Sequence, residues 1–230
     1  SKVLDAPFVV DDYSDKGVWR PTNYGNKFFG LSTLRLGIEK SRNLMTVRLS
    51  DQLGLDKISE VSLKLGVYEK FPKLISSSLG SLESTLQKIT AAYATIANGG
   101  YKVEANLIDV IYDNNGEVLY KADNRQCVDC MVESSLIGNL SELKKVPLPE
   151  MKNNSLKIFS EESAYQMTSF LMGVIERGTA KNINNFNFQV AGKTGTTNNN
   201  QDAWFIGYNS ELTVGVYVGY DVPKSLGRFE

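Results

Sequence analysis

Val190-Ala191-Gly192-Lys193-Thr194-Gly195-Thr196-Thr197, followed after three asparagines by Gln201-Asp202-Ala203-Trp204-Phe205-Ile206-Gly207-Tyr208, decides the fold of this chain. Both runs are apolar and small-residue rich, and they are separated by a turn too short to hold a helix. They predict strands over about 188–196 and 202–209, with a third over 212–220. Consecutive strands joined by short turns pair antiparallel, and the helical patterns upstream supply the layer that covers them. The expected class is α+β, an antiparallel sheet packed with helices. Along the first strand, alternation sends Lys193 and Gly195 to one side and Thr194 and Thr196 to the other. A cation, two hydroxyls and a glycine without a Cβ to block an approaching ligand backbone suit an anionic acyl substrate laid along a sheet edge. Taken alone, the triplet Lys193-Thr194-Gly195 favours an edge strand with a solvated lysine and an incidental glycine; the pattern here is much longer and continues through the next strand.

Upstream, Ser32 or Thr33 can cap a helix carrying Leu34, Ile38 and Leu44, which Ser41-Arg42-Asn43 interrupts. The apolar period resumes from Val47 to Leu53 and stops at Gly54, and Asp56 opens another helix that ends at Gly66. A long amphipathic helix over about 84–97 closes on Asn98-Gly99-Gly100, and Ser160-Glu161-Glu162-Ser163 opens the last one. Between them, Leu107–Tyr112 and Val118–Tyr120 flank Asp113-Asn114-Asn115-Gly116, a hairpin with an expected type I′ turn. Residues 1–31 read as irregular, and 122–155 as a polar excursion broken by Pro147 and Pro149.

Composition excludes much. With no histidine, neither a Ser-His-Asp nor a Cys-His mechanism is available, nor His-ligated zinc. A serine activated here must give its proton to a lysine whose pKa is lowered by burial or by a neighbouring cation. A net charge of -1 offers no basic field for nucleic acid. No apolar run is long enough to span a bilayer, and no signal peptide is read at Ser1. The two cysteines, Cys127 and Cys130, allow a redox pair, half a zinc site or a tight disulfide; a local staple in a surface loop is the favoured reading.

Gly192-Lys193-Thr194 also copies the end of a phosphate loop. That motif needs glycine at 187, where Asn187 stands, and a helix after it, where an aromatic strand follows. The phosphate loop is rejected. Lysine-assisted serine acylation uses Ser-x-x-Lys on a helix, the spacing that puts both side chains on one face. The match in this chain is Ser141-Glu142-Leu143-Lys144, in the proline-broken excursion with no buried helix to lower the lysine pKa. Ser141 is read as a decoy.

The chain resembles the transpeptidase domain of class A penicillin-binding proteins, the bifunctional peptidoglycan synthases. The resemblance rests on Trp19-Arg20-Pro21-x-Asn23-Tyr24, Gly30-x-x-Thr33-Leu34-Arg35, Lys40-Ser41-Arg42-Asn43, Ala92–Tyr101, Arg177-Gly178-Thr179-Ala180 and the Lys193–Tyr208 block, in that order. It takes in nearly all of 1–230 as one partial transpeptidase domain with a variable excursion at about 122–155. It implies three motifs in chain order. Ser41 and Asn43 match the second, Ser-x-Asn, and Lys193, Thr194 and Gly195 match the third. The first, Ser-x-x-Lys, is expected before Ser1, so the nucleophile and its lysine are expected to be absent here and the chain alone inactive.

The resemblance further implies that Ser41 relays protons, that Asn43 binds the substrate amide, and that Lys193 supplies positive potential. Thr194 and Thr196 hydroxyls would hold the substrate carboxylate beside Gly195, and the Thr196 N–H would be half of an oxyanion hole. The implied partners are peptidoglycan stem peptides, β-lactams, and a glycosyltransferase domain and membrane anchor upstream in the parent protein. The implied location is the periplasmic face of the bacterial inner membrane, and no cofactor or metal is expected. The alternatives of the same fold are a serine β-lactamase or D,D-carboxypeptidase; a non-catalytic sensor or binding module is the other.

Overall fold

The computed structural model describes residues 1–12, 17–123, 125–128, 150–152, 154–183, 187–197 and 200–227. Ser141, Lys144 and Cys130 lie outside the described residues. The chain divides into two compact units, one of Ser1–Val103 with Lys157–Glu230, the other Glu104–Leu156.

In the first unit, strands β9 (Ala191–Thr196), β10 (Asp202–Tyr208) and β11 (Thr213–Gly219) form an antiparallel sheet in the order β11-β10-β9. The register pairs Thr194 with Phe205 and Lys193 with Ile206, and Ile206 in turn with Gly215. Pleating therefore divides the sheet into two faces. One carries Ala191, Ile206 and Tyr208, all buried against helices α4 (Leu86–Ala97) and α5 (Glu161–Glu176). Leu171, Val174, Ile175, Ala180, Ala191 and Tyr208 make its core cluster, and the Tyr208 hydroxyl bonds Thr168 at 2.9 Å. Gly215 lets α4 close on β11, because a Cβ there would collide with Thr90 and Leu86. The other face carries Val214, Val216 and Val218, which are 44%, 46% and 53% exposed.

Both long helices start where side chains accept orphan N–H groups. Thr85 accepts from Lys88 N, and Ser160 from Ser163 N, beside Glu161 and Glu162 in the first turn.

Residues 1–31 are not irregular throughout. Strand β1 (Lys2–Asp5) pairs antiparallel with β4 (Gly30–Thr33), and β2 (Val10–Asp12) pairs with β3 (Gly17–Trp19). Each is three or four residues long, too short to show a period, and β1 finds its partner across a loop of more than twenty residues. Helices α1 (Leu34–Glu39), α2 (Asn43–Leu53) and α3 (Leu55–Lys64) follow. Thr33 caps α1 by accepting from Leu36 N.

The second unit holds the expected hairpin, β5 (Val110–Tyr112) with β6 (Val118–Lys121). Its turn is not type I′, which requires two left-handed residues: Gly116 has φ 86° while Asn115 has not crossed to positive φ. The Asp113 carboxylate accepts from both Asn115 N and Glu117 N, which stabilises the alternative turn. Strands β7 (Gln126–Val128) and β8 (Glu150–Lys152) pair within the stretch read as an excursion. Cys127, on β7, is disulfide-bonded.

Candidate active site

The site is built where three backbones meet: the α1–α2 junction, the loop after α5, and β9. Ser41 sits at the first. Its N–H reaches Ile38 O at 3.1 Å and the next N–H, Arg42, reaches Gly37 O at 2.9 Å. This is the Schellman pattern, in which the residue after the helix cap takes a left-handed conformation that glycine usually occupies. Ser41 holds φ 52° without being glycine. A non-glycine residue held in that region costs energy, and such strain concentrates at functional positions.

A buried polar hub fixes this junction from below. Asp5, fully buried, accepts from Arg42 Nη1 at 3.1 Å and from Asn23 Nδ2 at 2.7 Å. The Arg42 guanidinium also stacks 3.8 Å from the Phe29 ring centre. Asn23 spends its carbonyl oxygen on Leu44 N at 3.2 Å, so it caps α2 from twenty-one residues away. The Asn43 side chain donates to Thr22 O at 3.0 Å, which ties the start of α2 to the same segment.

The loop after α5 is stitched to the end of α1. Glu39 is 2% exposed, and its carboxylate accepts from Arg177 Nη2 at 2.6 Å and Nε at 3.1 Å. The Glu39 carbonyl accepts from Thr179 N at 3.1 Å, and Lys40 Nζ donates to Arg177 O. Gly178 makes this approach possible, since a Cβ there would collide with Glu39 O and Val174.

Strand β9 completes the site. Lys193 Nζ donates to Ser41 Oγ at 2.8 Å and to Thr194 O at 2.8 Å. Burial lowers its pKa to about 8, because the ammonium form loses hydration in the wall of the site. Thr194 Oγ1 lies 2.6 Å from Thr179 Oγ1. Thr196 ends the strand exposed, opposite Ala203.

The structure thus brings Ser41, Lys193 and Thr194 together. Asn43 stands at the α2 start, and Thr196 at the far end of β9. Gly195 faces its cross-strand partner Trp204, whose Cβ would lie 3.2 Å from a Cβ added at Gly195. Its missing side chain accommodates that indole. Sequence reading missed Asp5 and Glu39, and gave Asn23 and Thr179 no role. A buried carboxylate leaves no local pattern, because its partners lie 37 and 138 residues away. Among the described residues, no group of three or more His, Cys, Asp or Glu side chains is placed to hold a metal ion.

The sequence profile of the penicillin binding protein transpeptidase domain matches residues 3–225. The chain belongs to that transpeptidase family. Penicillin-binding protein 1A of Rickettsia conorii is 42% identical over 224 residues, covering 97% of this chain and 28% of the relative. Penicillin-binding protein 1A of Pseudomonas aeruginosa is 35% identical over 259 residues, covering 100% of this chain and 31% of the relative. The crystal structure of penicillin-binding protein 1A from Haemophilus influenzae superposes with a TM-score of 0.80 at 27% identity, covering 100% of this chain and 36% of that one. This transpeptidase chain therefore spans under a third of the curated relatives it matches, and it matches them as an α+β domain of the class A type. No described helix of it is long and apolar enough to cross a membrane.

Proposed function

We propose that this chain carries two of three catalytic motifs of a peptidoglycan D,D-transpeptidase, a serine acyltransferase that cross-links stem peptides ending in D-Ala-D-Ala. The observation that carries this reading is the 2.8 Å bond from Lys193 Nζ to Ser41 Oγ, with the Thr194 hydroxyl on the same strand. Because Lys193 donates to Ser41, the serine keeps its own proton for another acceptor. That polarity suits a relay that protonates the leaving amine as the acyl-enzyme forms. In the first step a serine oxygen attacks the penultimate D-Ala carbonyl, the peptide bond breaks, and terminal D-Ala leaves with the relayed proton. In the second, an amine of a neighbouring stem peptide attacks the ester, and the serine recovers a proton.

In this reading Lys193 is cationic at neutral pH and attracts the terminal carboxylate, which the Thr194 and Thr196 hydroxyls receive. The backbone beside Gly195 lines the peptide, Asn43 binds the substrate amide, and the Thr196 N–H faces the developing oxyanion. The nucleophilic serine and its lysine come from the parent protein outside these 230 residues. These residues alone are then inactive, since removal of a nucleophile leaves only binding and electrostatic effects. The same parentage implies β-lactams as acylating substrate mimics, an upstream glycosyltransferase domain, and anchoring at the periplasmic face of the inner membrane.

Intact mass after incubation with a penicillin tests this. The full-length protein should take up one adduct and the 230-residue chain none. An adduct on the chain itself, mapped to Ser141, would overturn the assignment.

A further inference from the structure

Thr179 has no part in the mechanism above, yet it is held against the site as firmly as any residue in it. The Glu39–Arg177 pair, the Lys40 bond to Arg177 O and the Thr179 N–H bond to Glu39 O fix its backbone. Its side chain remains exposed, with its hydroxyl 2.6 Å from that of Thr194.

Each hydroxyl has one proton and two lone pairs. In a Thr179–Thr194 pair one oxygen donates and the other accepts. An anion resting on Thr194 can only accept, so Thr194 must turn its proton outward to the anion. Thr179 must then donate into the lone pair that Thr194 offers. A hydroxyl that accepts one bond becomes a stronger donor in the next, so the arrangement sharpens Thr194 for an anion. A neutral carboxamide makes no such demand, since its carbonyl can accept from Thr194 and its N–H can donate to Thr194, so it is satisfied in either orientation.

We propose that Thr179 is a positioning residue that aims the Thr194 hydroxyl proton at the terminal carboxylate of the acyl donor, and so sets a preference for a free carboxylate over a capped one. The inference rests on the transpeptidase reading and names a determinant of its specificity.

The test measures second-order acylation rates of the full-length protein by a penicillin with its free carboxylate and by the primary carboxamide of the same penicillin. Wild type is compared with Thr179→Val and Thr179→Ser, with a thermal melt of each. Thr179→Val should slow acylation by the free acid about fivefold, the worth of the neutral Thr179–Thr194 hydrogen bond, and leave the carboxamide rate unchanged. Thr179→Ser should restore the free-acid rate. Equal loss with both reagents, alongside a lowered melt, would show a merely structural role and overturn the proposal, as would no loss with either. Failure of wild type to be acylated by the free acid would instead overturn the transpeptidase reading, and this inference with it.

Discussion

Lys193 Nζ donates to Ser41 Oγ across 2.8 Å of space and 152 residues of sequence. Neither residue is near the other in any local pattern, and each is placed by something else: Ser41 by the left-handed end of α1, Lys193 by the pleat of β9.

The lowered pKa of Lys193 gives a signed pH dependence. Its cationic form prevails below about 8, and it becomes neutral above that value. If the cation attracts the substrate carboxylate, the acylation rate of the full-length protein should fall as pH rises through about 8. A flat rate to pH 10 would remove Lys193 from that role. Stability runs the other way. The unfolded lysine holds its proton up to its ordinary pKa of 10.5, so the unfolded state binds more protons between about 8 and 10.5. The Lys193 contribution therefore improves as pH rises through that window and is lost as pH falls through about 8. The melting difference between wild type and Lys193→Met should grow in favour of wild type from pH 8 to 10.

Ser41 is expected to separate stability from activity. Ser41→Gly removes a left-handed penalty and adds chain entropy to the unfolded state, effects of about 1 kcal/mol that oppose each other. Urea unfolding should therefore differ little from wild type. Penicillin acylation of the full-length protein should nonetheless drop about a hundredfold or more, the usual worth of a proton-transfer group. Retained acylation would show that the Ser41 hydroxyl relays nothing.

Asp5→Ala should be among the most damaging changes in the chain. It strands Arg42, whose side chain is 10% exposed, and frees the Asn23 amide that positions the α2 cap. Removing one partner of a buried pair costs about 3–5 kcal/mol. Asp5→Leu combined with Arg42→Met should cost less than Asp5→Ala alone, read from urea midpoints. The reverse order would contradict the buried-pair account.

Gly173 sets two effects against each other. It lies inside α5, where helix propensity favours alanine by about 1 kcal/mol. A Cβ there would collide with the Glu39 carboxylate and lie 2.7 Å from Arg177 Nη2. The collision should win, because Glu39 is buried and its carboxylate has little room to move away while it holds the half-exposed Arg177. Gly173→Ala should lower the melting temperature, and a raised one would show that Glu39 can move aside at little cost.

Much of the scaffold was legible. Ser160, Thr33 and the strand runs around Lys193 carry strong local signals, and the structure places helices and strands within a few residues of where those signals stop. Lys193 and Thr194 announced themselves through a dense polar triplet in an otherwise apolar strand. What stayed hidden depends on distance along the chain. Asn23 caps a helix that starts twenty residues later, Asp5 meets Arg42 through folding alone, and Glu39 reads as one more charge on a short amphipathic helix. The β1–β4 pair escaped for the same reason, since a four-residue strand is defined by its partner. The turn at Gly116 was misjudged because an Asx side chain outbid the local preference of Asn-Gly.

The three valines on the uncovered face of the sheet bear on handling. Strand β11 has β10 on one side and no paired strand on the other among the described residues. It alternates Thr213, Gly215, Tyr217 and Gly219 with Val214, Val216 and Val218, and holds no charge or proline over Thr213–Gly219. Such a strand is a template for another copy of itself. In solution, this chain should therefore lose monomer faster at higher concentration, and a single lysine at Val216, a gatekeeper on the bare face, should slow that loss.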